Sequence, residues 1–266
     1  MDLRFSLLGL IIGFLIGLTG MGGGSLMTPV MILVMGVKPY VAVGTDLAYG
    51  AVTRIFGARM HMRHDTVNRR TAYLLALGSV PATVLGVSVT SALKKAHPNL
   101  VNVVLVRSIA WALIVVGIVL ASKSLWTSIA ARYRKQHETN WRDNVYGLGD
   151  TKPWVLPILG AFVGFAVGLT SVGAGTLIIM AFLFLFPRWE SKQYVGTDVF
   201  HGAILVSAAG LAHLVAGNVN IVMMLSLLVG SIPGVLLGSR LVVSFHEQYL
   251  RLTLASVLLI SGFKLL

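Results

Sequence analysis

The segment that decides the fold occurs twice: GFLIGLTGMGGGSL at residues 13–26 returns as GFAVGLTSVGAGTL at residues 164–177. Further matches follow in the same order, and the spacing between copies shifts by only about one residue. They pair Val43-Gly44-Thr45-Asp46 with Val195-Gly196-Thr197-Asp198, and Gly78-Ser79-Val80-Pro81 with Gly230-Ser231-Ile232-Pro233. The sequence therefore predicts two homologous repeats, 1–126 and 153–266, joined by a basic linker at 127–152 that faces the cytoplasm.

The composition places most of the chain in a lipid bilayer. Of its 266 residues, 56% are hydrophobic and 11% are charged, whereas a soluble domain carries about 25% charged residues. Apolar stretches long enough to cross a membrane recur from Phe5 to Leu266, and no polar region is large enough for a separate soluble domain. We expect an all-α, multi-pass protein of the cell inner (cytoplasmic) membrane, with the bilayer as its surroundings.

The net charge of +12 indicates membrane topology rather than a nucleic-acid partner, because Lys and Arg concentrate in a few loops, as on cytoplasmic faces. The chain has no Cys, which excludes disulfides and thiolate catalysis. His61, His64 and Asp65 lie in a basic loop that disfavours a metal cation, and no nucleotide-binding or metalloprotease motif occurs. The sequence predicts no metal and no other cofactor.

Each half begins with an apolar stretch, at 5–36 and 154–187, that is too long for one straight crossing. About 30 residues of helix would run about 45 Å, against a hydrocarbon core of about 30 Å. The glycine cluster divides each stretch into two legs that are too short to span alone. A re-entrant hairpin with its tip near mid-membrane fits these lengths, and a single broken, tilted helix is the alternative. Three full crossings follow in each half, at 39–60, 71–93 and 103–126, and at 192–213, 220–243 and 249–266.

The placement of basic residues predicts that the two halves are inverted relative to each other. A re-entrant hairpin returns the chain to the side from which it entered, whereas three crossings carry the chain to the opposite side. The second half therefore begins on the opposite side of the membrane and is inverted relative to the first. Loop 59–70 is rich in arginine and would be cytoplasmic, whereas its repeat partner at 210–220 has no Lys or Arg and would face outward. A parallel repeat would put both loops on one side and explains the asymmetry less well.

The two glycine-rich tips are the predicted anion site. The second leg of each hairpin would direct its N-terminal amides and positive dipole end at the tip, where glycine lets an anion approach the backbone and hydroxyls could add donors. Close helix packing through small residues is the alternative explanation. The predicted binding residues are Thr19, Gly20, Gly22, Gly23, Gly24 and Ser25 in the first half, and Thr170, Ser171, Gly173, Gly175 and Thr176 in the second.

Ionisable residues inside the predicted spans are the candidates for coupling. Asp46 and Asp198 would lie about 10 Å inside the bilayer at about 1.5 Å per residue, where carboxylates are costly and usually functional. The pair could bind protons, or it could only cap or hydrogen-bond a helix break. His201 follows Asp198 by one turn and suits a proton relay or a fixed hydrogen bond, and Tyr49 is its repeat counterpart. Arg54 could attract the substrate, pair with an Asp, or extend to the cytoplasmic face.

These motifs resemble the TauE/SafE family of membrane transporters, also called the sulfite exporter or 4-toluene sulfonate uptake permease family. The resemblance covers nearly the whole chain, and its most specific element is Gly13-x3-Gly17-x2-Gly20-x-Gly22-Gly23-Gly24, then Pro29, then Ala42-Val43-Gly44-Thr45. It implies transport, without ATP, of sulfite or of sulfur-containing organic anions such as sulfonates. Two features depart from the family pattern. The position after Gly-Thr, commonly small and polar, is Asp46 and Asp198, and Ala174 replaces the equivalent of Gly23.

The leading interpretation is a secondary transporter of a small anion. The main alternative is an intramembrane enzyme with Asp198 and His201 as acid and base, which is weakened by the lack of a nucleophile–base motif. A non-transporting scaffold needs neither duplicated broken helices nor buried carboxylates. The sequence leaves open the exact substrate, the direction, the coupling ion and the oligomeric state, a homodimer included.

Overall fold

The computed structural model describes residues 3–19, 24–136, 152–186, 189–241 and 247–266, and its regular structure in those ranges is helical throughout. The helices described there are α1 (Leu3–Thr19), α2 (Gly24–Leu33), α3 (Pro39–Arg63), α4 (Arg69–Ala96), α5 (Pro98–Gln136), α6 (Val155–Thr170), α7 (Ala174–Leu185), α8 (Ser191–Val215), α9 (Ile221–Leu241) and α10 (Glu247–Leu265). The predicted all-α class is confirmed.

Four of the described helices are long and apolar enough to cross a membrane: α4, residues Pro98–Ser122 of α5, α8, and residues Ile221–Gly238 of α9. Helix α3 matches the predicted span 39–60 and has 25 residues, but its ionisable side chains lower its hydropathy. The apolar parts of α1, α6, α7 and α10 are shorter. Helix α5 continues through Gln136 into the segment predicted as the linker, and residues 137–151 of that segment lie outside the described residues.

Each half packs its first helix against a late helix of the other half. Helix α1 lies along α9, and α6 lies along α4. A Cβ atom on Gly164 of α6 would lie 2.6 Å from the Cα of Ser79, and one on Gly13 of α1 would lie 2.7 Å from the Cα of Ser231. Only glycine fits such a contact, and this is a common way for helices to associate in membranes. Repeat-equivalent residues thus make equivalent contacts with the halves exchanged, as the predicted pseudo-two-fold relation between the halves requires.

The central helices α3 and α8 are repeat-equivalent and run antiparallel. Gly50 of α3 faces Val206 of α8, and Gly57, further along α3, faces Val199, which is further back on α8. A two-fold axis that relates antiparallel helices lies perpendicular to both of them, which is the geometry of inverted-topology repeats. The packing therefore supports the inverted arrangement. Which loops face which side of the membrane stays a prediction.

The two legs of the first glycine-interrupted stretch run in opposite directions. Helix α1 is parallel to α9, which in turn is parallel to α3. Helix α2 is antiparallel to α3, because a short loop joins Leu33 to Pro39 while Thr28, further back on α2, reaches Asp46, further along α3. The legs α1 and α2 are therefore antiparallel, as the hairpin that we favoured over a single broken helix requires, and residues 20–23 between them lie outside the described residues. The depth of its tip in a membrane stays a prediction.

The Gly-Thr pair of the repeated Val-Gly-Thr-Asp motif joins the two halves. The hydroxyl of Thr45 accepts a hydrogen bond from the amide of Asn220 (3.1 Å), and that of Thr197 accepts one from the amide of Asn68 (2.9 Å). The side chains of Asn68 and Asn220 then cap α4 and α9, satisfying amides that have no partner within the helix. Gly-Thr is thus a structural clasp, which leaves the Asp of the motif for chemistry.

Candidate functional site

The second glycine-rich tip is a tight reversal between α6 and α7. Ser171 and Gly173 both have left-handed backbone, with φ of 61° and 94°, a conformation that glycine adopts freely and serine uncommonly. Helix α7 starts at Ala174, and the residue before it provides no side-chain cap. The first amides of α7 are therefore available to other groups at the tip.

The first glycine-rich tip is described only at its edges. Thr19 ends α1, Gly24 begins α2, and Ser25 is half-buried in the first turn of α2. Three residues of the predicted site lie outside the described residues: Gly20, Gly22 and Gly23.

Asp46 lies where the two halves meet. Its side chain is 1% exposed, and Oδ2 accepts hydrogen bonds from the hydroxyl of Thr28 on α2 (2.6 Å) and from that of Ser171 at the second tip (2.8 Å). The other oxygen, Oδ1, is buried and has no hydrogen-bond partner among the described residues. The proton of Ser171, which we expected to face an anion, is therefore donated to a carboxylate of the other half.

Asp198 has the equivalent position in the second half but different surroundings. Its Oδ2 lies 3.0 Å from the point where a Cβ of Gly175 would be, and a guanidinium nitrogen of Arg54 lies 3.9 Å from the same point. The guanidinium also packs on Gly202, where a methyl group would overlap it. Arg54 therefore reaches from α3 of the first half to α7 and α8 of the second. Its repeat equivalent is Val206, so this cation occurs on one side of the pseudo-two-fold axis.

His201 and Tyr49 are repeat-equivalent, and each contacts a serine of the repeated Gly-Ser-x-Pro motif. His201 Nε2 and the hydroxyl of Ser79 share a hydrogen bond of 2.8 Å, and the hydroxyl of Tyr49 reaches the side chain of Ser231. Both rings are buried. His201 Nδ1 is buried and has no hydrogen-bond partner among the described residues, so only the other ring nitrogen is held by a hydrogen bond there.

The remaining tip residues divide into a structural group and a group near Arg54. The hydroxyl of Thr170 donates to the carbonyl of Ala166 (2.7 Å) and accepts from the amide of Val172 (3.2 Å). Both hydrogen bonds lie at the C-terminal end of α6, so this hydroxyl has a structural role there. Gly173 packs near α5, where a Cβ would lie 3.1 Å from a methyl of Val116. Gly175 faces Asp198 and Arg54, and Thr176 follows it, half-buried in the first turn of α7.

A polar chain, which the motifs did not single out, runs from Lys94 to Gly168 near the C-terminal end of α6. Lys94 Nζ donates to Asn218 Oδ1 (2.9 Å), Asn218 Nδ2 donates to His213 Nδ1 (3.2 Å), and His213 Nε2 donates to the carbonyl of Gly168 (3.0 Å). The amide nitrogen of Asn218 can only donate, which fixes these directions. The signal in the sequence was the repeat match of His213 to His61. Within the described ranges, no group of three or more metal-ligating side chains comes together.

A repeat-built helical protein with ionisable groups buried between its halves belongs to a class that includes many secondary transporters. The family model "Sulfite exporter TauE/SafE" matches residues 5–265, and the chain therefore belongs to the TauE/SafE family of membrane transporters.

Three curated relatives carry names of the same kind, which indicate a membrane transporter rather than an enzyme. The chain is 36% identical to "Probable membrane transporter protein YjnA" of Bacillus subtilis (strain 168), over 100% of both chains. It is 28% identical to "Probable membrane transporter protein YunE" of the same organism, over 97% of this chain and 95% of that one. It is 26% identical to "Probable membrane transporter protein y4hK" of Sinorhizobium fredii (strain NBRC 101917 / NGR234), over 87% and 85%. No solved structure matches the chain.

Proposed function

We propose that this membrane transporter is a secondary transporter of a small anion, sulfite or an organosulfonate or related organosulfur anion, across the cytoplasmic membrane. The observation that carries the proposal is the position of Arg54, a cation from the first half that lies beside the N-terminus of α7 in the second half, where the residue before the helix provides no side-chain cap. The description of the family as sulfite exporters supports a sulfur oxyanion as the substrate.

The anion would lie between the guanidinium of Arg54 and the first turn of α7. A guanidinium binds planar or tetrahedral oxyanions through two parallel hydrogen bonds, and the amides of a helix N-terminus add to the attraction. Gly175 puts no side chain between these groups. Asp198 lies beside the same position, so an anion there would be repelled by an ionised Asp198 carboxylate, and anion binding becomes dependent on the charge of Asp198.

A proton could remove that repulsion, and we propose that Asp198 or Asp46 binds one during the transport cycle. Buried His201 follows Asp198 by one turn and has a ring nitrogen free to relay it. Replacing each Asp by Asn and measuring flux at several pH values tests this role. Asp198→Asn should make substrate binding less dependent on pH. Wild-type rate and pH dependence in both variants would show that the carboxylates are structural.

Flux measurements in proteoliposomes test the function itself. Purified protein should move at least one anion from a panel of sulfite, thiosulfate, sulfoacetate and taurine, and the other accepted anions should compete. Arg54→Gln should weaken affinity for the transported anion, whereas Arg59→Gln changes an exposed arginine of the same helix and should not. A folded protein that moves none of the four would refute the assignment of substrate class.

Variants at the tips test where the anion lies. We expect Ser25→Ala and Thr176→Val to weaken binding by about 1 kcal/mol each, the value of a neutral hydrogen bond. Gly22→Val should block close approach of the anion, and a folded Gly22→Val protein with normal affinity would show that the glycines serve packing. Gly173→Val is a weaker test than the sequence suggested, because its φ of 94° strains any side chain. Gly175→Ala places a methyl group between Arg54 and Asp198 without that strain.

A further inference from the structure

We propose that Asp46, Thr28 and Ser171 form a binding site for Na⁺. The role of this ion in driving transport rests on the proposed function, whereas the binding itself does not. The site joins α2 and α3 of the first half to the tip of the second half, through the two hydrogen bonds that Asp46 Oδ2 accepts.

The two repeat-equivalent carboxylates have diverged in their neighbours. Continuing the repeat in register pairs Thr28 with Ile179 and Ser171 with Gly20, so neither repeat-equivalent position carries a hydroxyl. Arg54, in turn, lies beside Asp198 in the second half, and no Lys or Arg among the described residues forms an ion pair with Asp46. One carboxylate thus lies beside the Arg54 guanidinium, and the hydrogen bonds of the other come from two hydroxyls.

The hydrogen bonds around Asp46 suit a metal cation better than a proton, which leaves the proton of the proposed transport cycle to Asp198. Thr28 and Ser171 both donate their hydroxyl protons to Oδ2, which leaves lone pairs on both hydroxyl oxygens. A neutral acid with its proton on Oδ1 would have a buried donor and no acceptor for it among the described residues, and one with its proton on Oδ2 would still leave Oδ1 without a partner there. A cation bound by Oδ1 and by the hydroxyl lone pairs would satisfy all of them, and one carboxylate among neutral oxygens balances the charge of a monovalent ion such as Na⁺.

The C-terminal end of α6 adds to the attraction. Ser171 directly follows the last residue of α6, and the final carbonyls of a helix carry the negative end of its dipole. Helix C-terminal ends and unwound carbonyls are the groups with which broken-helix transporters hold Na⁺. The charged or titratable side chains that face Asp46 are Tyr49, one turn along α3, and Arg54, whose guanidinium is directed to α7 and α8.

The position of the site would link the ion to the anion. Ser171 and Gly175 belong to the same short tip, and they contact Asp46 and the Arg54–Asp198 region respectively. A cation at Asp46 would hold this tip against the first half, and its release would free the tip. The proposed ion and anion would thereby act on one segment of a few residues.

Direct binding tests the proposal without any anion substrate. The purified protein in detergent would be titrated with NaCl, KCl or choline chloride, following thermal unfolding and the binding of radioactive ²²Na⁺. We expect saturable binding and stabilisation by Na⁺ but not by K⁺ or choline. Asp46→Asn should abolish both effects, and Thr28→Val and Ser171→Ala should each weaken the apparent Na⁺ affinity at least about tenfold, the loss of one ligand.

Two controls keep the outcome decisive. Thr28→Ser retains the hydroxyl and should retain Na⁺ binding, and Asp198→Asn should bind Na⁺ like the wild type. A wild-type protein without Na⁺-specific binding overturns the proposal, as does an Asp46→Asn variant that keeps it. A protein that binds Na⁺ but moves no sulfur oxyanion refutes the proposed function alone, and one that moves anions without binding Na⁺ refutes this inference alone.

Discussion

Replacing Gly202 by Ala should remove Arg54 from the proposed anion site while leaving every charged residue in the sequence. A methyl group at Gly202 overlaps a terminal guanidinium nitrogen of Arg54, and the end of a long side chain moves more easily than two packed helices. The same change adds a good helix former to α8, worth up to about 1 kcal/mol, which offsets part of the steric cost. We therefore expect the variant to fold with Arg54 turned away from Gly175.

The loss in binding follows from the contact that is removed. A hydrogen bond to a charged group contributes about 1.5–3 kcal/mol, which corresponds to about 10- to 150-fold in the dissociation constant of the anion. The repeat supplies a matched control in Gly50→Ala, because Gly50 is equivalent to Gly202 but its Cβ would lie 3.3 Å from a methyl of Val206. That variant introduces the same methyl group without touching a charge and should bind the anion normally.

The assay is the concentration dependence of sulfite or sulfonate flux in proteoliposomes, with thermal unfolding as the test of folding. The Gly202→Ala effect should disappear in an Arg54→Gln background, since there is no longer a guanidinium to displace. The reasoning is wrong if Gly202→Ala retains normal affinity, if Gly50→Ala loses as much, or if the effect of Gly202→Ala persists without Arg54.

Three further predictions concern architecture and stability. Single cysteines introduced into loops 59–70 and 210–220 should be labelled from opposite faces of the membrane, and labelling of both from one face would exclude inverted halves. Thr197→Val should destabilise the protein by about 1–3 kcal/mol, because it leaves a buried amide unpaired. Thr53→Val is its control, since that hydroxyl bonds a carbonyl of its own helix, and equal losses of unfolding temperature would argue against the clasp. Gly78→Ala would press a methyl group into the backbone of α6 and should lower the free energy of unfolding by about 1–3 kcal/mol or more. We expect a lower unfolding temperature, and the protein that does fold should keep its substrate preference.

Much of the fold could be read from the sequence because a bilayer narrows the choices. Backbone groups in lipid must be paired within the chain, so the apolar segment 39–60 could only be a helix, and α3 extends it by a few residues to Arg63. The exchanged packing of α1 on α9 could not be read in the same way. A glycine such as Gly13 indicates that some backbone comes close, but not which of several apolar helices supplies it.

The site was predicted unevenly for a related reason. Asp46, Asp198 and Arg54 stand out because a charge in an apolar segment is costly and needs an explanation. Thr28 did not stand out, since a hydroxyl in an apolar helix commonly bonds a carbonyl of the preceding turn, and only the fold shows that it bonds Asp46 instead. Ser171 was selected from the glycine motif, but its hydrogen-bond partner lies on a helix far away in sequence.

The pairing of α1 with α9 has a consequence for how the protein is made. Helix α1 is synthesised before α9, yet the backbone that its glycines fit belongs to α9. The interval between the synthesis of α4 and that of its partner α6 is much shorter. During insertion, α1 must therefore remain in the membrane beside the translocation machinery, lipid or a chaperone until α9 has emerged. A chain that stops before Ile221 lacks α9, so the glycine surface of α1 stays uncovered. Membrane quality control would therefore encounter truncated products as exposed hairpins.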